Sequence, residues 1–198
     1  NLNLKPENNI TREIGAGIQL YGLLTGNDRL QLKGGYFGTD ARNYIATRVD
    51  MKRMRSYSYN VSRARIWGWD MQGNYQSDYF DWMLSYNRTE SMDASSREWL
   101  GSGNPDTLIS DISIPVGHGG VSAGWRAELS AAATHVKKGD PHQAGYAVHS
   151  FSLSYKPVSV KGFEASVTLD NAFNKLAMNG KGVPLSGRTV SLYTRYQW

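Results

Sequence analysis

The stretch from Gly187 to Trp198, GRTVSLYTRYQW, decides the fold. Val190, Leu192, Thr194, Tyr196 and Trp198 fall on one side of it, and Thr189, Ser191, Tyr193, Arg195 and Gln197 on the other. A two-residue period of this kind is that of a β-strand, whose successive side chains point to opposite faces. Chain ends usually fray. Here the final residue belongs to the apolar side, so the terminus itself is expected to be a packed strand.

The same rhythm recurs upstream. REIGAGIQLYG sets Ile14, Ala16, Ile18 and Leu20 against Glu13, Gly15, Gly17 and Gln19, and TGNDR follows with the Gly and Asn that tight turns favour. LQLKGGYFG, ARIWGWDMQGNY, YFDWMLSYN, GVSAGWRA, HSFSLSY and FEASVTLD alternate in the same way. LSAAATHV is ambiguous, because alanines occupy both sides, but it is counted as a strand. With the last stretch the total is about nine, and no segment carries a useful helical period.

Connections are expected to be short near Gly26, Ser77, Ala127 and Val158. Long polar ones are expected at roughly 41–60, 91–118, 138–145 and 171–187. Short and long connections taking turns imply successive hairpins with one plain end and one elaborate end, the layout of a transmembrane β-barrel. A β-sandwich also alternates, but its solvent face seldom ends strand after strand in Trp, Tyr and Phe. Aromatic residues at strand ends suit a membrane interface. The fold class is therefore all-β, an antiparallel up-and-down transmembrane barrel.

Composition is consistent with this. The 198 residues carry 22 Lys+Arg against 17 Asp+Glu, a net charge of +5, and the basic residues are scattered rather than gathered into a nucleic-acid patch. There is no cysteine, which excludes disulfides and thiolate metal sites. No run approaches the roughly 20 apolar residues of a membrane helix, but barrel strands need only about 9–11 alternating ones. The chain starts at Asn1 rather than Met, as a mature protein or a fragment would. Nine strands are awkward for a closed bacterial barrel, which has an even number.

Four stretches bear on that oddity. NLNLKPE at the start, VSRARIWGWDM, VTLDNAFNK and the closing GRTVSLYTRYQW resemble, in the same order, segments of the barrels of TonB-dependent outer-membrane receptors. Leu2, Asp70 and Trp198 depart from the usual Pro, Glu and Phe without disturbing the pattern. Within the family the wording is most similar to haem receptors that accept haem from a haemophore. The resemblance implies a 22-stranded barrel closed by a plug, of which residues 1–198 supply the last nine strands. Plug, TonB-binding segment and the first thirteen strands would lie upstream. It also implies the bacterial outer membrane, with long loops extracellular and the C-terminus on the periplasmic side. The terminal strand would be the seam that pairs with the first and removes the sheet edges. Haem would be the transported ligand, and its axial histidines are expected upstream, so no haem ligand is assigned here.

Candidate chemistry is sparse. His135, His142 and His149 are spaced by sevens, so His135 and His149 could face each other across a hairpin with its tip near His142. Only Asp140 is at hand to complete a chelate, and no metal site is assigned. His118 in PVGHGG reads as an exposed loop residue. Glu13, Asp81, Glu164 and Asp170 fall on polar faces with no nucleophile–base arrangement, so no catalytic residue is expected. GSGNP lacks the strand-to-helix setting of a phosphate loop, and NIT, NVS and NRT are chance matches to a glycosylation pattern.

The stretch RNYIATRVDMKRMRSYSY, in the first long loop, has more character. Its cations, Arg42, Arg48, Lys52, Arg53 and Arg55, face only Asp50. Lipopolysaccharide contact or plain solvation are the bland readings. A docking surface for an acidic partner is the functional one, with Ile45, Arg48, Met51, Lys52, Arg53 and Arg55 as its residues and Tyr44 beside them. The expected function is haem uptake through a TonB-dependent receptor. A siderophore receptor of the same family, a small self-contained adhesion barrel and an outer-membrane enzyme are the alternatives.

Overall fold

A computed structural model describes residues 3–50, 53–101, 105–179 and 183–198. Among them the chain forms one antiparallel sheet in which every strand pairs with its sequence neighbours. The strands are β1 Asn8–Tyr21, β2 Arg29–Asp50, β3 Arg55–Gln76, β4 Asp81–Asp93 and β5 Thr107–Val116, followed by β6 Val121–Ser130, β7 Tyr146–Tyr155, β8 Phe163–Asp170 and β9 Thr189–Tyr196. Among the described residues β1 and β9 are not paired to each other, so both sheet edges stand open.

The register keeps the apolar side chains on one face. Across four strands, Ile18 stands opposite Leu32, Leu32 opposite Gly73, and Gly73 opposite Leu84. At the far edge Leu153 faces Val167, which faces Leu192. Apart from half-buried Leu84 these side chains are exposed: Ile18 is 52% and Leu192 73% accessible. A face this apolar and this bare has no core to cover it, whereas the opposite face carries polar pairs such as Arg126–Asp111 at 3.3 Å. The assignment of Leu192 and Ser191 to opposite faces holds. Strand β9 ends at Tyr196; Gln197 adds one further bond, to the carbonyl of Gly162 at 2.9 Å, and Trp198 is fully exposed.

Short connections at 22–28, 77–80, 117–120 and 156–162 all lie at one end. The first is built around Asp28, 1% exposed, whose carboxylate accepts the amides of Leu23, Leu24 and Thr25 at 2.6, 2.6 and 2.8 Å and the Tyr75 hydroxyl at 2.8 Å. Gly22 enters the turn at φ +63°, a conformation that glycine adopts without a Cβ clash. Burial opposes ionisation of Asp28. The Thr25 and Leu24 amides, the Tyr75 hydroxyl and the Leu23 amide outweigh it and hold the carboxyl at about 2.

Four expectations about the strands and their connections are corrected. The region 41–60 is mostly strand, because the β2–β3 ladder continues past Tyr44↔Val61 to Asp50↔Arg55. The region 91–118 contains β5, which has isoleucine on both faces and so hides its alternation: Ile112 and Ile114 on one, Ile109 on the other. The expected turn near Ala127 is the middle of β6, and the real one is 117–120. LSAAATHV is a strand only to Ser130; beyond it the alanines form a connection with a lone Ala133↔Gln143 bridge. The expected strand number is thus met with one false strand in place of a missed one.

Candidate functional site

The elaborate end of the sheet carries the candidate site. Strand β1 pairs with β2 only as far as Asn8↔Arg42, and β4 with β3 only as far as Ala64↔Asp93. The hairpin between Asn43 and Ser62 therefore projects as a two-stranded ribbon beyond both neighbours. Asn43 sits at its base with φ +52°, and asparagine is among the few residues that tolerate that region. The Asn60 amide donates to the Asn43 carbonyl at 2.6 Å and pins this bend.

Residues 5–7 run along the ribbon. The Lys5 amide donates to Asn60 Oδ1 at 2.7 Å, Asn60 Nδ2 donates to the Lys5 carbonyl at 3.0 Å, and Glu7 Oε2 accepts the Ile45 amide at 2.9 Å. From the other loops, Lys137 Nζ donates to the Tyr59 hydroxyl at 2.8 Å and to the Thr47 carbonyl at 3.3 Å, lying 4.9 Å from the Tyr59 ring centre. The ribbon is held at both margins.

The sequence-predicted docking residues do not form one patch. Arg48 stands opposite Tyr57, and Arg55 opposite Asp50, on one face of the ribbon. Ile45 stands opposite Asn60 on the other face. Arg53, at the tip, reaches Asp50 at 4.0 Å, and its amide donates to the same carboxylate at 3.2 Å. Arg48, Arg53 and Arg55 are exposed. Met51 and Lys52 lie outside the described residues. Exposed Met54 and Tyr57, which sequence reading did not select, add apolar surface at 82% and 46% accessibility.

The histidines are separated. His135 Nδ1 lies 2.8 Å from Glu90 Oε1, and its ring stacks on Trp99 at 4.0 Å and 7°. His149 stacks instead on Trp125, 5.8 Å away, with Phe173 edge-on. The two therefore do not face each other. Among the described residues no cluster of three metal-ligating side chains occurs. The first histidine serves to join loops: Trp99 comes from the β4–β5 connection and His135 from the β6–β7 connection, and Lys138–Glu98 at 3.6 Å ties the same pair. Long loops docked on one another at one end of an exposed apolar sheet make a surface for recognising something.

Comparison with known proteins agrees with this architecture. The chain is similar over its whole length to the "Hemin receptor" of Yersinia pestis, 42% identical, and to that of Yersinia enterocolitica, 40% identical. It spans 29% and 31% of those proteins, about three-tenths of the length of the curated relatives that it matches. Among solved structures, "Copper transporter OprC" superposes with a TM-score of 0.79 at 21% identity, covering 98% of this chain and 32% of that one, which shows the fold. Residues 1–174 match the family model described as TonB dependent receptor-like, beta-barrel. The chain belongs to the TonB-dependent receptor β-barrel family.

Proposed function

We propose that this chain is the C-terminal part of the barrel wall of an outer-membrane transporter that takes up haem with energy delivered through TonB. The observation that carries the reading is similarity along all of residues 1–198 to about three-tenths of the hemin receptors, at an identity well above that of fold likeness alone. The open edges of the sheet support the division of labour. Each backbone group left unpaired in hydrocarbon costs several kcal/mol, so a lipid-spanning sheet must close on further strands. Residues 1–198 then supply one arc, and plug, TonB-binding segment and earlier strands lie upstream.

In this reading the apolar face meets lipid and the polar face lines the lumen. Long loops face the outside and the C-terminus the periplasm. Haem is cargo, held mainly by axial ligands outside this chain. No substrate bond is made or broken, so the protein is a transporter rather than an enzyme. The ribbon with Arg48, Arg53 and Arg55 serves as the contact for a haemophore or other haem-carrying protein, with Ile45 on its opposite face and Met51 and Lys52 as further contact residues.

The test is growth. The complete receptor, expressed with TonB in a strain lacking haem synthesis, should permit growth on haem and on a haem-loaded carrier. Growth on a ferric siderophore as iron source with no response to haem would replace haem by siderophore as cargo. Refolded alone in detergent, residues 1–198 should give no compact, heat-modifiable monomer. Such a monomer would mean a self-contained barrel.

A further inference from the structure

On the apolar face, at the long-loop end of β1–β3, a carboxylate stands among three arginines. Asp40 Oδ1 accepts Arg63 Nη2 at 2.8 Å and Nε at 3.2 Å; Arg65 Nε lies 3.8 Å away, and Arg12 Nη1 is 4.0 Å from Oδ2. The cluster carries a surplus of positive charge on the face that has no protein cover. The Arg12 and Arg65 side chains are 78% and 62% accessible, so their guanidinium donors are far from used up by Asp40. Arg42, exposed, faces Arg63 directly across the ladder and adds to the surplus.

Directly below lies a groove of about 560 Å³, bounded by Ile14, Tyr36, Trp67 and Met92 and roofed by Arg12 and Arg65. It exists because β2 has glycine where its neighbours have side chains: a Cβ at Gly38 would meet nothing nearer than the Tyr36 ring at 3.9 Å. Farther down the same face, past the Tyr36–Trp69 ring pair, a second hollow of about 510 Å³ opens around Gly34 and Gly73 between Ile18, Leu32, Met71 and Leu84. The surface is thus cationic at one end and apolar and grooved along the rest.

Height decides what fits. Tyr75 marks the short-turn end of the apolar band on β3, and Arg65 lies ten residues further along the strand. At about 3.3 Å per residue and a strand tilt near 40°, this is roughly 25 Å along the membrane normal, the height of the apolar band of a membrane barrel. Arg65 and its companions therefore sit at headgroup level, and the groove below them at acyl-chain level.

We propose that Arg12, Arg63 and Arg65 hold the headgroup phosphate of an outer-leaflet phosphoglycolipid, whose acyl chain lies in the groove over Gly38. The inference rests on the transmembrane reading above. Guanidinium groups are matched to phosphate in charge and in forked donor geometry. An adjoining apolar groove running toward the bilayer centre suits a lipid and no soluble anion, so the occupant is a lipid rather than free phosphate.

The experiment is native mass spectrometry of the complete detergent-purified receptor titrated with bisphosphoryl lipid A, fully dephosphorylated lipid A and inorganic phosphate. The wild type should retain the bisphosphoryl lipid, and millimolar phosphate should not displace it. Arg12→Glu with Arg65→Glu should lower its retention roughly tenfold or more, each cation near an anionic lipid surface being worth about 1 kcal/mol. Gly38→Leu leaves every charge in place and fills the groove; it should lower retention several-fold with unchanged heat-modifiability. Displacement by inorganic phosphate, equal retention of the dephosphorylated lipid, or full retention by both variants would overturn the proposal. Failure of the wild type to reach the outer membrane or form a heat-modifiable barrel would instead overturn the transmembrane reading, so the two failures are distinguishable.

Discussion

The Tyr75 hydroxyl donates to Asp28 Oδ2 at 2.8 Å, joining the end of β3 to the β1–β2 turn across 47 residues of sequence. Three amides of the turn converge on the same carboxylate, so the short connection is organised by one buried anion.

Acid should therefore open this turn first. The folded carboxyl is held at about 2, below the ordinary value near 3.9, so the stabilisation is fully present above about pH 4 and is lost as pH falls toward 2. Protection of the Leu23, Leu24 and Thr25 amides in the complete receptor, taken relative to the intrinsic exchange rate at each pH, should fall through that window. Asp28→Asn should lower that protection at neutral pH, on the order of tenfold, because charge-assisted bonds are replaced by neutral ones. Protection independent of both pH and this substitution would remove the anion from its role.

Gly68 is a second point of close approach. A Cβ there would lie 2.2 Å from the Arg88 carbonyl oxygen and 2.7 Å from the Phe37 ring, which covers the glycine from the facing position on β2. The ring can turn aside, but the backbone oxygen cannot move without displacing β4. Gly68→Ala should destabilise the barrel by about 1–3 kcal/mol, the usual cost of overpacking. Combining it with Phe37→Ala should not restore the loss. Urea unfolding in detergent measures both, and full recovery in the double variant would make the ring the obstacle.

Sequence reading reached the sheet, its hairpin order and the two faces because alternation is a local property that each strand states for itself. It missed β5, where Ile109 and Ile112 fall on opposite faces and the signal cancels. The ribbon was misjudged as loop because polar and apolar residues mix on each face: Tyr44, Ala46 and Tyr57 share one with Arg48, Asp50 and Arg55, and Ile45 shares the other with Thr47, Ser58 and Asn60. Two family-like stretches were visible as words without their reasons. Asn171 of LDNAFNK, 4% exposed, donates to the carbonyls of Lys175 and Ser186 and accepts the Lys175 amide, closing the base of the long β8–β9 connection. The opening NLKPE supplies the backbone and Glu7 contacts that line the ribbon. The arginine cluster around Asp40 was not seen at all. Its members lie on three strands, and only the register brings them together.

The two faces make opposite predictions for neighbouring residues. Leu192 shares its row with Val167, and Ser191 points to the polar side. Leu192→Arg in the complete receptor should cost about 2–4 kcal/mol if it lies near the bilayer midplane. Ser191→Arg should be much milder, since the lumen is polar. Refolding into lipid vesicles against urea reads both, and equal losses would mean that the faces are reversed.

The ribbon should act on association rather than on stability. Arg48 and Arg55 share one face, Arg53 stands at the tip, and only Asp50 offsets them there among the described residues. Charge of this kind steers an acidic partner over distances that salt screens beyond about 8 Å at physiological strength. Arg53→Glu with Arg55→Glu should therefore slow association of the proposed haemophore, on the order of tenfold at low salt and less at physiological salt, leaving dissociation nearly unchanged. Ile45 lies on the opposite face and its amide is tied to Glu7, so its side chain can serve only a partner that wraps the ribbon. If the partner does wrap it, Ile45→Ala should speed dissociation with little change in association, because apolar anchors hold a complex rather than attract it. Surface plasmon resonance at two ionic strengths separates the effects. An on-rate indifferent to the double reversal at low salt would leave the ribbon as a solvated projection, and an unchanged off-rate for Ile45→Ala would confine contact to the arginine face.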